Sequence, residues 1–167
     1  MPFSPILATL GYVFSPCRTK VLMVHRMGRE GDAHLGKWNG LGGKLEANEN
    51  IVDGMIRELK EEAGITATGL HLAGTISWPG FGKSGEDWFG FLFRITEFSG
   101  KVNERSPEGP LEWVELDRVL TLSLWDGDRQ FLPAVLNLHA EPFHGVMPYS
   151  QGRMLRWNVS RLSRNFQ

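Results

Sequence analysis

From Ile51 the chain places an apolar side chain at every fourth position, Met55, Leu59 and Ala63, with Val52 and Ile56 beside them. This recurrence predicts an α-helix over Asn50–Ala63 that turns one face to a core. Its ends carry matching signals: Asn48 or Asn50 caps the start, and Gly64 stands where a helix stops. On an ideal wheel Glu58, Glu61 and Glu62 lie at i, i+3 and i+4, so they share a face about 100° from the apolar stripe. Like charges at these spacings cost about a few tenths of a kcal/mol per pair. Only Lys60 lies among them, and it points elsewhere. Such a face is either merely solvated or a site for hard divalent cations. Mg²⁺ takes oxygen ligands, keeps several waters and is shared between carboxylates and substrate phosphates. A bound cation would turn the repulsion into ligation.

The crowding hides inside a bland total. Eighteen Lys and Arg stand against nineteen Asp and Glu, a net charge of −1, yet six of those acids fall within residues 46–62. The balance argues against a general nucleic-acid binder, which carries a basic excess. With 167 residues, 41% hydrophobic and 22% charged, the composition fits one globular domain over 1–167 rather than a disordered chain. Cys17 is the single cysteine, so no intrachain disulfide forms and a reducing compartment suits it. The start lacks a basic n-region, so no secretory signal is expected. The longest apolar stretch, Ile6 to Phe14, is broken by Thr9 and Gly11 and is too short to span a bilayer. A soluble cytoplasmic protein is expected, without membrane attachment, either monomer or homodimer.

Around the helix the pattern is mixed. Phe3–Phe14 and Lys20–Arg26 read as strands joined by a turn at Ser15-Pro16, followed by a polar, Gly-rich loop over Met27–Lys37. Gly69–Trp78 and Asp87–Thr96 suggest a hairpin, Leu111–Leu116 a short strand and Asp128–Leu138 a second helix. Phe143–Tyr149 and Arg153–Val159 suggest a terminal hairpin turned by Gln151-Gly152. Strands, helix, strands, helix, strands implies an α/β or α+β domain with a mixed sheet and helices on its faces.

The segment Gly43 to Ile65 resembles the signature of the Nudix hydrolase superfamily at every fixed position: Gly43, Glu49, Arg57-Glu58, Leu59, Glu61-Glu62, Gly64 and Ile65. The resemblance implies an α/β/α sandwich that hydrolyses phosphate anhydrides of nucleoside diphosphate derivatives. It implies that Glu58, Glu61 and Glu62 bind Mg²⁺ or Mn²⁺ with the main-chain carbonyl of Gly43. One of these glutamates, or a loop glutamate, would orient or deprotonate the attacking water. Arg57 would be structural, paired with Glu49, and Gly42 and Gly43 would let the signature loop approach closely. Anhydride hydrolysis needs positioning and charge neutralisation, which metals supply.

Outside that segment, Trp38-Asn39-Gly40-Leu41-Gly42-Gly43-Lys44 resembles the oxidised-purine nucleoside triphosphatases, the 8-oxo-dGTP diphosphatase (MutT-type) group. By that resemblance Asn39 would hydrogen-bond the purine; an amide both donates and accepts. Without it, Asn39 reads equally well as a turn residue. Trp125 matches a base-stacking Trp and Asp128 the second of two acids at the base edge, but Gly127 stands where the first acid belongs. Asp126 is a substitute one residue early, and a helix N-cap is the competing role for Asp126 or Asp128. Glu108, five residues before Trp113, matches an additional catalytic or metal-binding glutamate, with Glu104 as competitor. Arg26 resembles a phosphate-facing arginine, and Lys44 adjoins the site.

The resulting expectation is Mg²⁺-dependent cleavage of a nucleoside triphosphate, an oxidised purine such as 8-oxo-dGTP, to monophosphate and pyrophosphate. The alternatives are another nucleoside diphosphate derivative (nucleotide sugar, dinucleoside polyphosphate or RNA 5′ end) or a non-catalytic nucleotide-sensing module. Gly80-Phe81-Gly82-Lys83-Ser84-Gly85 fits GxGxxG but precedes a strand, whereas a dinucleotide site needs a helix N-terminus.

Overall fold

The computed structural model describes residues 1–27, 30–32 and 34–162. Within Met27–Lys37, Gly28, Arg29 and Ala33 lie outside the described residues. The chain runs β1 (Ile6–Phe14), β2 (Lys20–His25), β3 (Trp38–Asn39), α1 (Ile51–Ala63), β4 (Thr66–Trp78), β5 (Trp88–Ser99), β6 (Arg105–Ser106) and β7 (Gly109–Glu115). A 3₁₀ turn (Leu116–Thr121), α2 (Asp128–Leu136), β8 (Phe143–Val146), β9 (Tyr149–Ser150), β10 (Arg153–Met154) and β11 (Asn158–Ser160) follow.

Among the described residues, nine strands form one mixed sheet in the order β11-β8-β4-β5-β1-β2-β7-β6, with β3 also on β2, while β9 and β10 pair separately. β1 runs parallel to β5, and β4 parallel to β8; the other pairs are antiparallel. The sheet is covered on both faces, and its central strands alternate accordingly. Tyr12, Val21, Met23 and Leu92 join Phe131, Leu132 and Val135 of α2 in one core. Val13, Leu22, Val24, Phe93 and Ile95 join Met55, Leu59 and Ala63 of α1 in the other. A strand buried on both faces reads as a continuous apolar run, which is why β1 and β2 were visible in the sequence. The architecture is the mixed α+β sandwich expected from the pattern of elements.

Helix α1 starts at Asn50, not Asn48. The Asn50 Oδ1 accepts the N–H groups of Val52 and Asp53, both at 2.9 Å. It ends at Gly64, whose left-handed conformation (φ 72°) lets its N–H reach the Lys60 carbonyl. Helix α2 begins differently. Its N-cap position is Gly127, with no side-chain cap bond, so neither Asp126 nor Asp128 serves as the cap. Its last carbonyls meet a cation from the sheet: Arg94 of β5, only 4% exposed, donates to the Val135 and Ala134 carbonyls at 2.7 Å. A positive charge complements the helix C-terminus there.

The expected terminal hairpin forms, and its first arm gains a second partner in the sheet. Phe143–Val146 lies parallel to β4, with Gly74 opposite Phe143, and β11 returns to its other edge. The Gln151-Gly152 turn forms, both residues at positive φ; it joins β9 to β10, and the antiparallel pairing continues through β8 and β11. Contacts within the hairpin and along β4 both hold β8 in place. A Cβ at Gly145 would overlap the Trp157 ring, and beyond β8 the N–H groups of Met147 and Tyr149 still bond the carbonyls of Ser77 and Pro79. Among the described residues no helix is long and apolar enough to cross a membrane.

Candidate active site

The loop 41–45 lies along β1 like an added strand. Leu41 and Gly11 exchange both backbone hydrogen bonds, and the Leu45 N–H reaches the Leu7 carbonyl. A Cβ at Gly42 would overlap the Thr9 carbonyl, so the loop approaches this closely only with glycine. Gly43 has its carbonyl on the Thr9 N–H at 2.8 Å, which leaves one lone pair. On its other side a Cβ would lie 2.5 Å from Glu58 Oε1. The loop is thus pressed between β1 and the acidic face of α1.

Arg57 ties loop to helix. Its Nε and Nη2 bind the two oxygens of Glu49 at 2.9 and 2.6 Å, and Nη2 also reaches the Lys44 carbonyl at 3.1 Å. Its Nη1 donates to Glu58 Oε1 at 2.9 Å and Glu61 Oε2 at 3.3 Å. These bonds hold the Glu49 carboxyl down at about 2.

The remaining acids face a different environment. Burial pushes Glu62 up to about 8, against a hydrogen bond from the Gly42 N–H at 2.9 Å; the charges of Glu58 and Glu108 push the same way as burial. Glu58 is also raised, first by burial, with Arg57 opposing. Glu108 comes from the turn between β6 and β7, its N–H on Ser106 Oγ and its carboxylate 3.1 Å from Arg26. Glu62 therefore feels both Glu58 of its own helix and Glu108 from a distant segment. Glu104 is exposed. Hard oxygen donors in a partly desolvated cluster match Mg²⁺ or Mn²⁺ rather than a thiolate- or imidazole-seeking metal. Among the described residues no closed cage of three such side chains exists, since Arg57 holds oxygens of Glu58 and Glu61. An open arrangement that leaves places for waters and phosphate is what Mg²⁺ uses.

Arg26 does not point free into the site. It bridges Glu108 and Asp32, the latter at 3.0 Å. Asp32 Oδ1 accepts the His34 N–H at 3.0 Å, and His34 Nδ1 accepts the Trp125 indole N–H at 2.8 Å. His34 is therefore the neutral tautomer with its proton on Nε2, and burial lowers its pKa in agreement. A continuous chain of contacts thus joins the acidic cluster to Trp125.

Trp125 borders a cavity of about 580 Å³ lined also by Asp32, His34, Phe81, Lys83 and Trp88. The Trp125 ring stands edge-on to Phe81 (centroids 5.8 Å apart) and Tyr149 (6.4 Å), with Lys37 Nζ 5.6 Å from its centroid. The buried Trp88 indole N–H has no partner among the described residues, and Lys44 Nζ lies 5.4 Å from that ring. Asn39, on β3 opposite Val24, makes no side-chain hydrogen bond among the described residues. Burial raises Asp128 to about 7, with Lys37 and Arg129 opposing. Two phenols sense its charge, Tyr12 and Tyr149, both raised mainly by burial. Sequence reasoning missed His34 and Tyr149. A histidine in a polar loop and a tyrosine near a chain end carry no local signal of these contacts.

Residues 7–135 match the family model of the NUDIX domain. The chain is 37% identical over 130 residues to the oxidized purine nucleoside triphosphate hydrolase of Mus musculus, covering 78% of this chain and 79% of that protein. It is 32% identical over 134 residues to the protein of the same name from Danio rerio, covering 80% and 81%. The crystal structure of a mutator MutT protein from Bacillus halodurans is similar with a TM-score of 0.79 and 30% identity, covering 92% of this chain and 97% of that one.

Proposed function

The chain belongs to the Nudix family of hydrolases, and from that premise we propose that it is a Mg²⁺-dependent nucleoside triphosphate diphosphatase acting on an oxidised purine such as 8-oxo-dGTP. The products are the nucleoside monophosphate and pyrophosphate. The observation that carries this reading is the junction of two unlike surfaces: the Glu58, Glu62 and Glu108 carboxylates, and the aromatic cavity beside Trp125, joined through Arg26, Asp32 and His34. A nucleotide needs both, an anion-compatible end and a planar apolar end. The mouse and zebrafish relatives, named as oxidized purine nucleoside triphosphate hydrolases, support the choice of substrate.

Enzymes of this family generally use divalent metal ions. Glu58, Glu61 and Glu62, with the remaining lone pair of the Gly43 carbonyl, are the groups proposed to hold Mg²⁺, or Mn²⁺ in its place. When bound, the ion supplies charge neutralisation for the phosphate chain and a water of lowered pKa. The chain's own residues do the rest. A carboxylate among Glu58, Glu61, Glu62 and Glu108 takes the proton of the attacking water as a phosphorus–oxygen anhydride bond breaks and pyrophosphate leaves. Lys44 is placed to meet phosphate. Arg26 holds Glu108 in position, and Arg57 with Glu49 fixes the loop against the helix. Trp125 stacks on the base, while Asn39 and Asp128 read its edge.

Asn39→Ala and Asp128→Asn should each lower kcat/KM on oxidised purine triphosphates by about tenfold or more beyond any loss on pyrimidine triphosphates. That is the scale of one buried hydrogen bond left unmade. Steady-state kinetics on a nucleotide panel measures it, and equal losses on all bases would remove both residues from the base pocket.

A further inference from the structure

We propose that Tyr149 is a specificity-determining residue of the base pocket: its hydroxyl and the Asp128 carboxylate together read the adjacent carbonyl and N–H of a 6-oxopurine and disfavour the reversed edge of a 6-aminopurine. The assignment rests on the nucleotide reading above and specifies which bases that site accepts.

Tyr149 lies outside residues 7–135 that match the family model. Strand β9 fixes it behind the aromatic rings of the cavity, by its N–H on the Pro79 carbonyl at 2.8 Å and by pairing with Met154. Its ring is 6% exposed and stands perpendicular to Phe81 at 5.0 Å and to Trp125 at 6.4 Å, the two rings that line the cavity. Its hydroxyl ends against Gly127. A Cβ built there would overlap that hydroxyl and the Met147 sulfur. The position before Asp128 thus carries no side chain because the Tyr149 phenol occupies the space. A polar group remains beside Asp128, but it comes from another strand and differs chemically.

The difference decides what can be read. A carboxyl can present a donor or an acceptor according to its protonation. The Tyr149 hydroxyl cannot switch in this way. Its oxygen lies against the Gly127 backbone, and burial together with the Asp128 charge keeps it protonated, so it offers a proton to donate. Burial raises Asp128 to about 7, so its carboxylate form is available at pH 8 and is the acceptor. A fixed donor beside an acceptor complements a ring carbonyl beside a ring N–H, the C6=O and N1–H of guanine, hypoxanthine or their oxidised forms. A 6-aminopurine presents the opposite order. Its ring nitrogen would set a lone pair against the carboxylate, and buried mismatches of this kind discriminate strongly.

The test uses the full chain with Mg²⁺ at pH 8, comparing kcat/KM for dGTP, dITP and dATP. The unaltered enzyme should favour the two 6-oxopurines over dATP by about tenfold or more, and Tyr149→Phe should shrink that ratio by about tenfold. Thermal unfolding measured alongside separates this from a structural role, which would lower Tm or all three rates together and leave the ratio in place. Asp128→Asn keeps the assignment testable should Tyr149→Phe fold poorly. Its amide can donate to the adenine ring nitrogen, so the ratio should move toward dATP. An unaltered enzyme that treats dATP and dGTP alike, or a ratio unmoved by either variant, overturns the assignment while leaving triphosphate hydrolysis intact. A chain that hydrolyses neither these three nor 8-oxo-dGTP overturns the function reading itself and this assignment with it.

Discussion

Glu58→Gln and Glu62→Gln should each lower kcat by about three orders of magnitude or more while the fold is kept, a loss of about 4 kcal/mol of transition-state stabilisation. The two halves of this expectation come from the same feature. Glu62 is a carboxylate held in a partly desolvated cluster with Glu58 and Glu108, an arrangement that costs stability in the absence of a cation. Glutamine is neutral without having to take up a proton, which relieves that cost, and its amide oxygen can still accept the Gly42 N–H that Glu62 accepts at 2.9 Å. Metal-free Glu62→Gln should therefore unfold at a Tm equal to or above that of the unaltered protein, even as turnover collapses. Glu58 faces Gly43 and binds Arg57, so Glu58→Gln keeps its shape against the loop but weakens a charge-assisted bond. Initial-rate assays with thermal unfolding check both variants. Turnover within tenfold of normal in a folded variant would contradict the assignment of these acids.

Metal binding should tighten as pH rises to about 8 and then level off. In the folded, metal-free protein Glu62 keeps its proton up to about 8, against about 4.3 for an ordinary glutamate. A cation needs the ionised carboxylate, so each ion bound below pH 8 displaces that proton. The affinity then rises by up to about tenfold per pH unit, or about a hundredfold from pH 6 to pH 8. Glu58, also raised, acts in the same direction. The stability of the metal-free protein follows with the sign worked out from Glu62. Its folded pKa lies above its unfolded one, so its contribution is fully present below about pH 4.3 and is lost as pH climbs toward 8. Saturating Mg²⁺ should consequently raise Tm more at pH 8 than at pH 6. Calorimetric titration with Mg²⁺ across this range checks the prediction, and an affinity independent of pH would contradict it.

The parts of this molecule that were legible in the sequence are those whose causes are local. Asn50, the four-residue recurrence through Leu59, and Gly64 define α1 within a few turns of chain, and the helix forms between them. The apolar runs of β1 and β2 follow from burial on both faces. The Gln151-Gly152 turn forms because both residues take positive φ. The hairpin about it was legible too; what was not is that Phe143–Val146, besides pairing with β11, lies along β4, some seventy residues earlier. Arg94 reads as an ordinary strand residue, and only the fold brings the end of α2 over it. The site divides in the same way. Glu58, Glu61 and Glu62 share one helix face, but the approach of Glu108 to Glu62 depends on the packing of separate elements. Gly127 stood in the sequence as a missing acid; its cause, the Tyr149 hydroxyl, lies twenty-two residues away on another strand.

The most direct test of the central claim is product analysis by phosphorus NMR of 8-oxo-dGTP incubated with the protein and Mg²⁺. The expected products are stoichiometric 8-oxo-dGMP and pyrophosphate, abolished by EDTA and restored by Mg²⁺ or Mn²⁺. Release of orthophosphate with a nucleoside diphosphate, turnover indifferent to EDTA, or no turnover by the folded protein would contradict it.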